Sequence, residues 1–203
     1  ISWQCSRTVA VMDAIGKYID PQRLYDITGL QSYHFNTINK LVWLKENRPE
    51  VLKSMDQYVF MPSIFLHKLS GEFVSDTTMA GTSMLTDLKA RDYSKEILSN
   101  IGLSTSIFPK LVEPGTIVGN VTASAAIELG IKSGIPVVAA GHDTQFAVFG
   151  SGASINEPVL SSGTWEIMMV RAHGESVSIP AQKDGVTIEL DAESGLIDLG
   201  VQW

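Results

Sequence analysis

The sequence predicts an α/β protein in two parts: a mixed helical and extended region over residues 1–150, and the beginning of a β-rich one over residues 151–203. Three observations predict it. Apolar residues recur at helical spacing through much of the first hundred positions. After Pro114 extended and helical textures alternate. From Glu157 onward, apolar runs of strand length face one another across short polar turns.

Val9, Val11, Met12, Ile15 and Ile19 predict a helix from Thr8 to Ile19, and Asp20-Pro21 marks its boundary with a second short helix ending near Gly29. "NTINKLVWLKEN" is the clearest helix, with an apolar stripe of Ile38, Leu41, Val42 and Leu44, a cap at Asn36 or Thr37, and Pro49 beyond its end. "RPEVLKSMDQYVFM" reads as a further helix running into a short strand. "SIFLHKLSGEF" reads as a helix closed by Gly71, and "DYSKEILSNIG" as a short amphipathic one with a glycine stop. "GTIVGNVT" is extended and "ASAAIELGI" helical. Ile135 to Gly141 is a run of small and β-branched residues that reads as a buried strand. That strand delivers four polar side chains in succession, His142, Asp143, Thr144 and Gln145. The Gly/Ser-rich stretch 150–158 is the expected boundary. Beyond it, hairpins form around Ser161–Thr164 and Asp191–Gly195.

A formal charge of −7 without any block of Lys or Arg argues against a nucleic-acid partner. The single cysteine, Cys5, excludes an internal disulfide and a thiolate zinc site, and suits a reducing cytosol. No apolar run approaches the ~20 residues that span a bilayer, so a soluble chain without a membrane partner is expected. The opening "ISWQCSRT" begins in mid-pattern, which suggests an excerpt of a longer protein.

Asp143 stands where loops at the carboxyl edge of an open sheet carry function, and its carboxylate could take a proton from a hydroxyl. Taken by itself, a plain helix cap accounts for it better, since Asp commonly caps at a strand-to-helix turn. The turn "SSGT" offers hydroxyls and unobstructed backbone N–H groups to phosphate oxygens, but read by itself it is better accounted for as an ordinary hairpin turn. His34, His67 and His173 are scattered, and no pair has metal-binding spacing. Within this reading, a hydrolase pairing Asp143 with Glu157 or Glu166, and a non-catalytic sugar- or nucleotide-binding domain, both stay open.

Three segments resemble the FGGY carbohydrate kinases. In "FNTINKLVWLKEN", residues Phe35, Thr37, Lys40, Trp43, Glu46 and Asn47 fall in register with the family's first signature. "WQCSRT" is similar to a segment that carries a sugar-contacting Trp, here Trp3. "GHDTQFAVFG" followed by "NEPVLSSGTWEIMMVR" is close to the pattern of members that act on L-fuculose and L-rhamnulose. The resemblance covers the whole chain and implies a ribonuclease-H/actin-like ATPase fold. Residues 1–150 would be the C-terminal portion of the sugar-binding domain, and residues 151–203 the start of the nucleotide-binding domain. It implies ATP-dependent transfer of a phosphoryl group to a ketose hydroxyl with Mg²⁺, and no metal site held by protein side chains alone. Asp143 would be the base. Trp3, Arg7, Phe35, His142, Thr144 and Gln145 would face the sugar, and Ser162, Gly163 and Thr164 the ATP phosphates. A sugar and ATP are the implied partners, the cytoplasm the implied location, and a homo-oligomer stays open. Phe35 stands where glycerol kinases carry Tyr, and Asp198 near a sugar-contacting Asn of other members. The family's first phosphate loop and adenosine segment are not in this sequence, so it is expected to bind ATP poorly and to be inactive by itself.

Overall fold

A computed structural model of the chain describes residues 1–163, 166–174 and 182–202. The expected helix from Thr8 to Ile19 is broken into a 3-10 turn, the short helix α1 (Val9–Asp13) and a second 3-10 turn, Ile15–Lys17. The break falls just before Gly16, whose backbone entropy disfavours a helix interior. The periodicity nonetheless picked the inward residues, since Val11, Ile15 and Ile19 are all buried. Helix α2 (Pro21–Thr28) is capped by Asp20, whose carboxylate accepts the Arg23 N–H, and ends at Gly29 in the left-handed conformation. Helix α3 (Thr37–Asn47) buries Ile38, Leu41 and Val42. Asn36 precedes it but does not cap it. Its side chain accepts from the Tyr33 N–H and donates to the Thr82 carbonyl, tying the loop before α3 to a neighbouring segment.

Helix α4 (Pro49–Lys53) is followed by no strand. Tyr58 donates its N–H to the Ile107 carbonyl, Phe60 is extended, and Pro62 falls at the start of α5 (Met61–Ser70), where its ring suits the first helical turn. Gly71 stops α5 as expected. Strand β1 (Val74–Asp76), helix α6 (Thr77–Gly81) and the short antiparallel pair β2 (Thr86–Asp87) and β3 (Asp92–Tyr93) follow, then α7 (Lys95–Asn100). β1 pairs in parallel with β4 (Lys110–Val112). Leu24, Ile38, Leu41, Leu85, Ile97 and Leu98 lie in the continuous core beneath these elements.

Strands β5 (Ile117–Asn120) and β6 (Pro136–Val138) flank α8 (Ala123–Leu129) as the alternation predicted, but they pair antiparallel to each other. The run Ile135–Gly141 is therefore not a fully buried strand. Only Val137 of β6 is buried, while Pro136 and Val138 are exposed. Helix α9 (Asp143–Gly150) begins five residues after β6 ends. A four-stranded antiparallel sheet completes the fold in the order β7-β8-β10-β9, from β7 (Pro158–Ser161), β8 (Ile167–His173), β9 (Thr187–Leu190) and β10 (Leu196–Gln202).

Strand alternation divides this sheet into two unlike faces. Ala172, Ile188 and Ile197 form an apolar face against Leu88 of the helical region. There Gly29, at φ +75°, brings its backbone directly onto β9: the Ile188 N–H donates to the Gly29 carbonyl at 2.7 Å, and a Cβ at Gly29 would stand 2.7 Å from the Ile188 oxygen. The cross-strand register puts Met169, Arg171, Thr187, Glu189, Asp198 and Gly200 on the other face. That face meets α9, with the Arg171 guanidinium 5.4 Å from the centre of the Phe149 ring.

Candidate functional site

The loop that delivers the polar cluster is held from below. Gly141 has no room for a side chain: a Cβ there would lie 2.3 Å from Thr78 Oγ1, 2.6 Å from Phe146 Cε2 and 3.2 Å from Asp76 Oδ1. The backbone can therefore approach β1 and α6 closely. The His142 N–H donates to Thr78 Oγ1 at 2.8 Å, and the Thr78 hydroxyl donates to Asp76 Oδ1 at 2.6 Å. The same carboxylate oxygen accepts the Met79 N–H and caps α6. Asp76 and Thr78 are buried, so these bonds are sheltered from competing water and fix where His142 enters α9.

Asp143 is the first residue of α9, and His142 occupies the N-cap position without a side-chain capping bond. The Asp143 carboxylate accepts the Thr144 N–H at 2.9 Å and lies 3.4 Å from His142 Nε2. Its side chain is 94% exposed, which leaves it open to an incoming hydroxyl. A negative group in the first turn also favours the helix, so a stabilising role and a chemical one coexist at this residue.

A cavity of about 120 Å³ opens beside it, lined by Phe35, His142 and Thr144 together with Tyr33, Asn36, Met169, Thr187 and Glu189 among others. Three of the residues expected at the sugar, Phe35, His142 and Thr144, are thus brought together. Phe35 stacks on Tyr33 at 5.2 Å and stands edge-on to His34. Gln145 is fully buried behind the cavity: its Oε1 lies 2.6 Å from His142 Nδ1, and its Nε2 donates to Glu189. Burial pushes the Glu189 carboxyl up, opposed by the nearby His142 and the Gln145 bond.

Trp3 and Arg7 do not line this cavity. Trp3 is 55% exposed, and Arg7 lies over the half-buried Trp43 at the rim of a separate hollow lined by Lys17, Tyr18 and Glu46. Ser162 and Gly163 are exposed at the tip beyond β7, where the Ser162 hydroxyl donates to Glu166. Thr164 lies outside the described residues. Glu157 and Glu166, the candidates for a second carboxylate, are turned to the Ser154 N–H and the Ser162 hydroxyl, and neither lines the cavity.

Sequence reasoning missed Asp76, Thr78 and Glu189. Asp76 and Thr78 carried a readable signal, since Ser-Asp-Thr-Thr after an apolar residue is a helix-start pattern. Glu189 stands on a strand whose alternation puts an acid on the face that meets α9, which only the register reveals.

Asp198 does not line the cavity either, and sits fully buried on β10 between Arg171 of β8 and Glu189 of β9. Arg171 holds Asp191 through two bonds, Nε to Oδ2 at 2.8 Å and Nη2 to Oδ1 at 2.9 Å, and reaches Glu193 at 3.0 Å. Among the described residues no fixed donor reaches either Asp198 oxygen, and burial together with the charge of the neighbouring Asp191, to which a protonated Asp198 can donate, pushes its carboxyl up to about 8. Protonated, Asp198 becomes a donor, which is the form this crowded acidic setting favours.

A model of the N-terminal domain of the FGGY family of carbohydrate kinases matches residues 1–150. The chain belongs to that family. It is 52% identical over its full 203 residues to the L-fuculokinase of Escherichia coli strain K12, covering 43% of that relative, and 29% identical over 195 residues to the rhamnulokinase of Enterococcus faecalis strain V583, covering 96% of the chain and 39% of the relative. A ligand-bound xylulose kinase from Lactobacillus acidophilus superposes with a TM-score of 0.87 at 20% identity, over 98% of this chain and 40% of that one. The FGGY fold is the actin-like ATPase fold that the resemblance implied, here in part, because the chain spans less than half the length of these relatives. Among the described residues no helix is long and apolar enough to cross a membrane.

Proposed function

We propose that this chain is the sugar-side section of an ATP-dependent kinase that phosphorylates L-fuculose to L-fuculose 1-phosphate in the cytoplasm. The observation that carries the proposal is the position of the exposed Asp143 between His142 and Thr144, which together with Phe35 line one small cavity, in a chain 52% identical to an L-fuculokinase. The lower identity of the rhamnulokinase makes L-rhamnulose the weaker alternative. Residues 1–150 would form the sugar-binding lobe and residues 151–203 the start of the nucleotide-binding lobe. The end of the family match at residue 150 supports that division.

In this reading the sugar sits in the cavity with its reacting hydroxyl toward Asp143, which takes the proton as the phosphoryl group arrives. The Phe35 ring provides an apolar wall, and the His142 imidazole and Thr144 hydroxyl give polar contacts that fix the sugar's orientation. Ser162, Gly163 and Thr164 would approach the ATP phosphates. The exposure of Ser162 and Gly163 and their small side chains fit that use. Mg²⁺ bound with ATP would neutralise phosphate charge. The described residues contain no cluster of acidic or imidazole groups able to hold a metal, and exposed Asp143 is the ligand this chain would offer it. Trp3 and Arg7 would join the sugar site only if the full-length protein brings their segment against the cavity.

The test is Asp143→Asn in the full-length protein, assayed for ATP-dependent phosphorylation of L-fuculose. The amide keeps the shape and still accepts the Thr144 N–H, but cannot take a proton at neutral pH. We expect turnover to fall by about 10²–10⁴-fold, about 3–5 kcal/mol of barrier, with sugar binding and melting temperature retained. Turnover within about threefold of the parent, far short of the general-base range, would refute the assignment.

A further inference from the structure

We propose that Glu189, acting through Gln145, sets the protonation pattern of the His142 ring, keeping the proton on Nδ1 and the lone pair on Nε2, the nitrogen beside Asp143. The proposal rests on the site reading above and adds a positioning residue to it. The three side chains form one chain of hydrogen bonds, running from Glu189 on β9 through the fully buried Gln145 to His142 at the cavity. Gln145 turns its amide NH₂ to Glu189, whose Oε2 accepts from it. Its carbonyl oxygen then faces His142 Nδ1 at 2.6 Å, and that nitrogen must carry the hydrogen. In the neutral form of the ring this leaves an acceptor at Nε2, 3.4 Å from Asp143 Oδ1, on a residue that lines the cavity. The opposite tautomer would aim an Nε2–H at Asp143, tying up the carboxylate that has to receive the substrate proton.

The direction of this chain is reversible in a definite way. Glu189→Gln replaces an acceptor by an amide that can donate. Gln145 can then turn over and present its NH₂ to Nδ1, moving the ring proton to Nε2. Gln145→Glu added to Glu189→Gln restores the original direction, because the new carboxylate at 145 accepts both from the new amide at 189 and from the Nδ1–H.

The experiment is ¹⁵N NMR of the histidine side chains in the full-length protein at mildly alkaline pH, with His142 assigned by loss of its signal in His142→Gln. It needs no turnover, so its outcome is separate from that of Asp143→Asn. The parent should show a protonated Nδ1 and an unprotonated Nε2, Glu189→Gln should shift the ring toward Nε2–H, and the double variant should shift it back. In parallel, kcat should fall about ten- to a hundredfold in Glu189→Gln, by analogy with loss of the outer partner of a metal-bound histidine, with the sugar KM changing less, and should recover in the double variant. A parent ring already protonated at Nε2 overturns the proposal even if no variant folds. So does a folded Glu189→Gln protein whose ring keeps the Nδ1–H form.

Discussion

Gly141→Ala is the sharpest test of how the site is held. Gly141 is not among the glycines with positive φ, so an alanine meets no backbone penalty and its whole effect is steric. The new methyl would lie 2.3 Å from Thr78 Oγ1 and 2.6 Å from Phe146 Cε2, well inside contact distance on two sides. Relief requires moving the loop away from α6, which breaks the 2.8 Å bond from the His142 N–H to Thr78. Overpacking of this kind costs about 1–3 kcal/mol and loss of the sheltered bond about 1 kcal/mol more, so we expect destabilisation of about 2–4 kcal/mol. Gly150 supplies the control. It ends α9, and nothing stands within 4 Å of an added Cβ, so Gly150→Ala should be neutral or stabilise by up to about 1 kcal/mol. Urea unfolding of the two full-length variants measures the difference as a shift in midpoint at constant m. A Gly141→Ala protein as stable as Gly150→Ala would refute the account of the Asp76–Thr78–His142 brace.

Three further outcomes follow from the sheet and its contacts. The raised Asp198 pKa of about 8 means that the folded chain keeps a proton the unfolded chain has shed above the ordinary ~3.9. Stability should therefore fall as pH rises from about 4 to 8, by up to about 1.4 kcal/mol per pH unit, and Asp198→Asn should flatten that decline in chemical melts across the range. Asp191→Ala removes the partner of the buried Arg171 guanidinium and should cost about 3–5 kcal/mol, whereas an unchanged melting temperature would show that the pair is solvated. Gly29→Ala places a methyl 2.7 Å from the Ile188 carbonyl at a positive φ, and should expose β9 amides to faster hydrogen exchange while leaving α3 amides protected.

Much of the helical region was legible because burial follows spacing: Ile38, Leu41 and Val42 are inward in α3 as their periodicity required. Where spacing misled, a local backbone rule intervened. The helix expected over Thr8–Ile19 breaks at Ala14, just before Gly16, and the strand expected before Pro62 is an extended segment that makes a backbone bond from Tyr58 to Ile107 without forming a strand. The β5–β6 pairing was not legible, because a buried apolar run gives no sign of whether its partner runs parallel or antiparallel. For the site, residues adjacent in sequence were readable, as with His142 through Gln145. Glu189 and Asp76 reach it from strands 44 and 66 positions away from Gln145 and His142, and such placement comes from packing, which no local pattern records.

The polar run after β6 makes physical sense once it is seen as the start of a helix. Each residue of α9 is rotated about 100° from the one before, so consecutive side chains meet different surroundings. Asp143 points into solvent, Thr144 lines the cavity, and Gln145 is buried against the sheet. His142 and Gln145, three apart, share a face, which is why their side chains meet at 2.6 Å. A polar residue at each position has a separate reason: a carboxylate at 143 that stays open to solvent, a small hydroxyl at 144 that leaves the cavity open, and an amide at 145 long enough to accept from the imidazole and donate to Glu189 at once. Replacing Gln145 with Leu tests that requirement. Leucine fits the volume but leaves the half-buried Glu189 beside an apolar group and His142 Nδ1 without its acceptor. Loss of a bond to a charged group costs about 1.5–3 kcal/mol, so the variant should lose that much stability in urea melts. A Gln145→Leu protein as stable as the parent would mean that Glu189 is already neutral there, and that the chain from β9 to His142 carries no energetic weight.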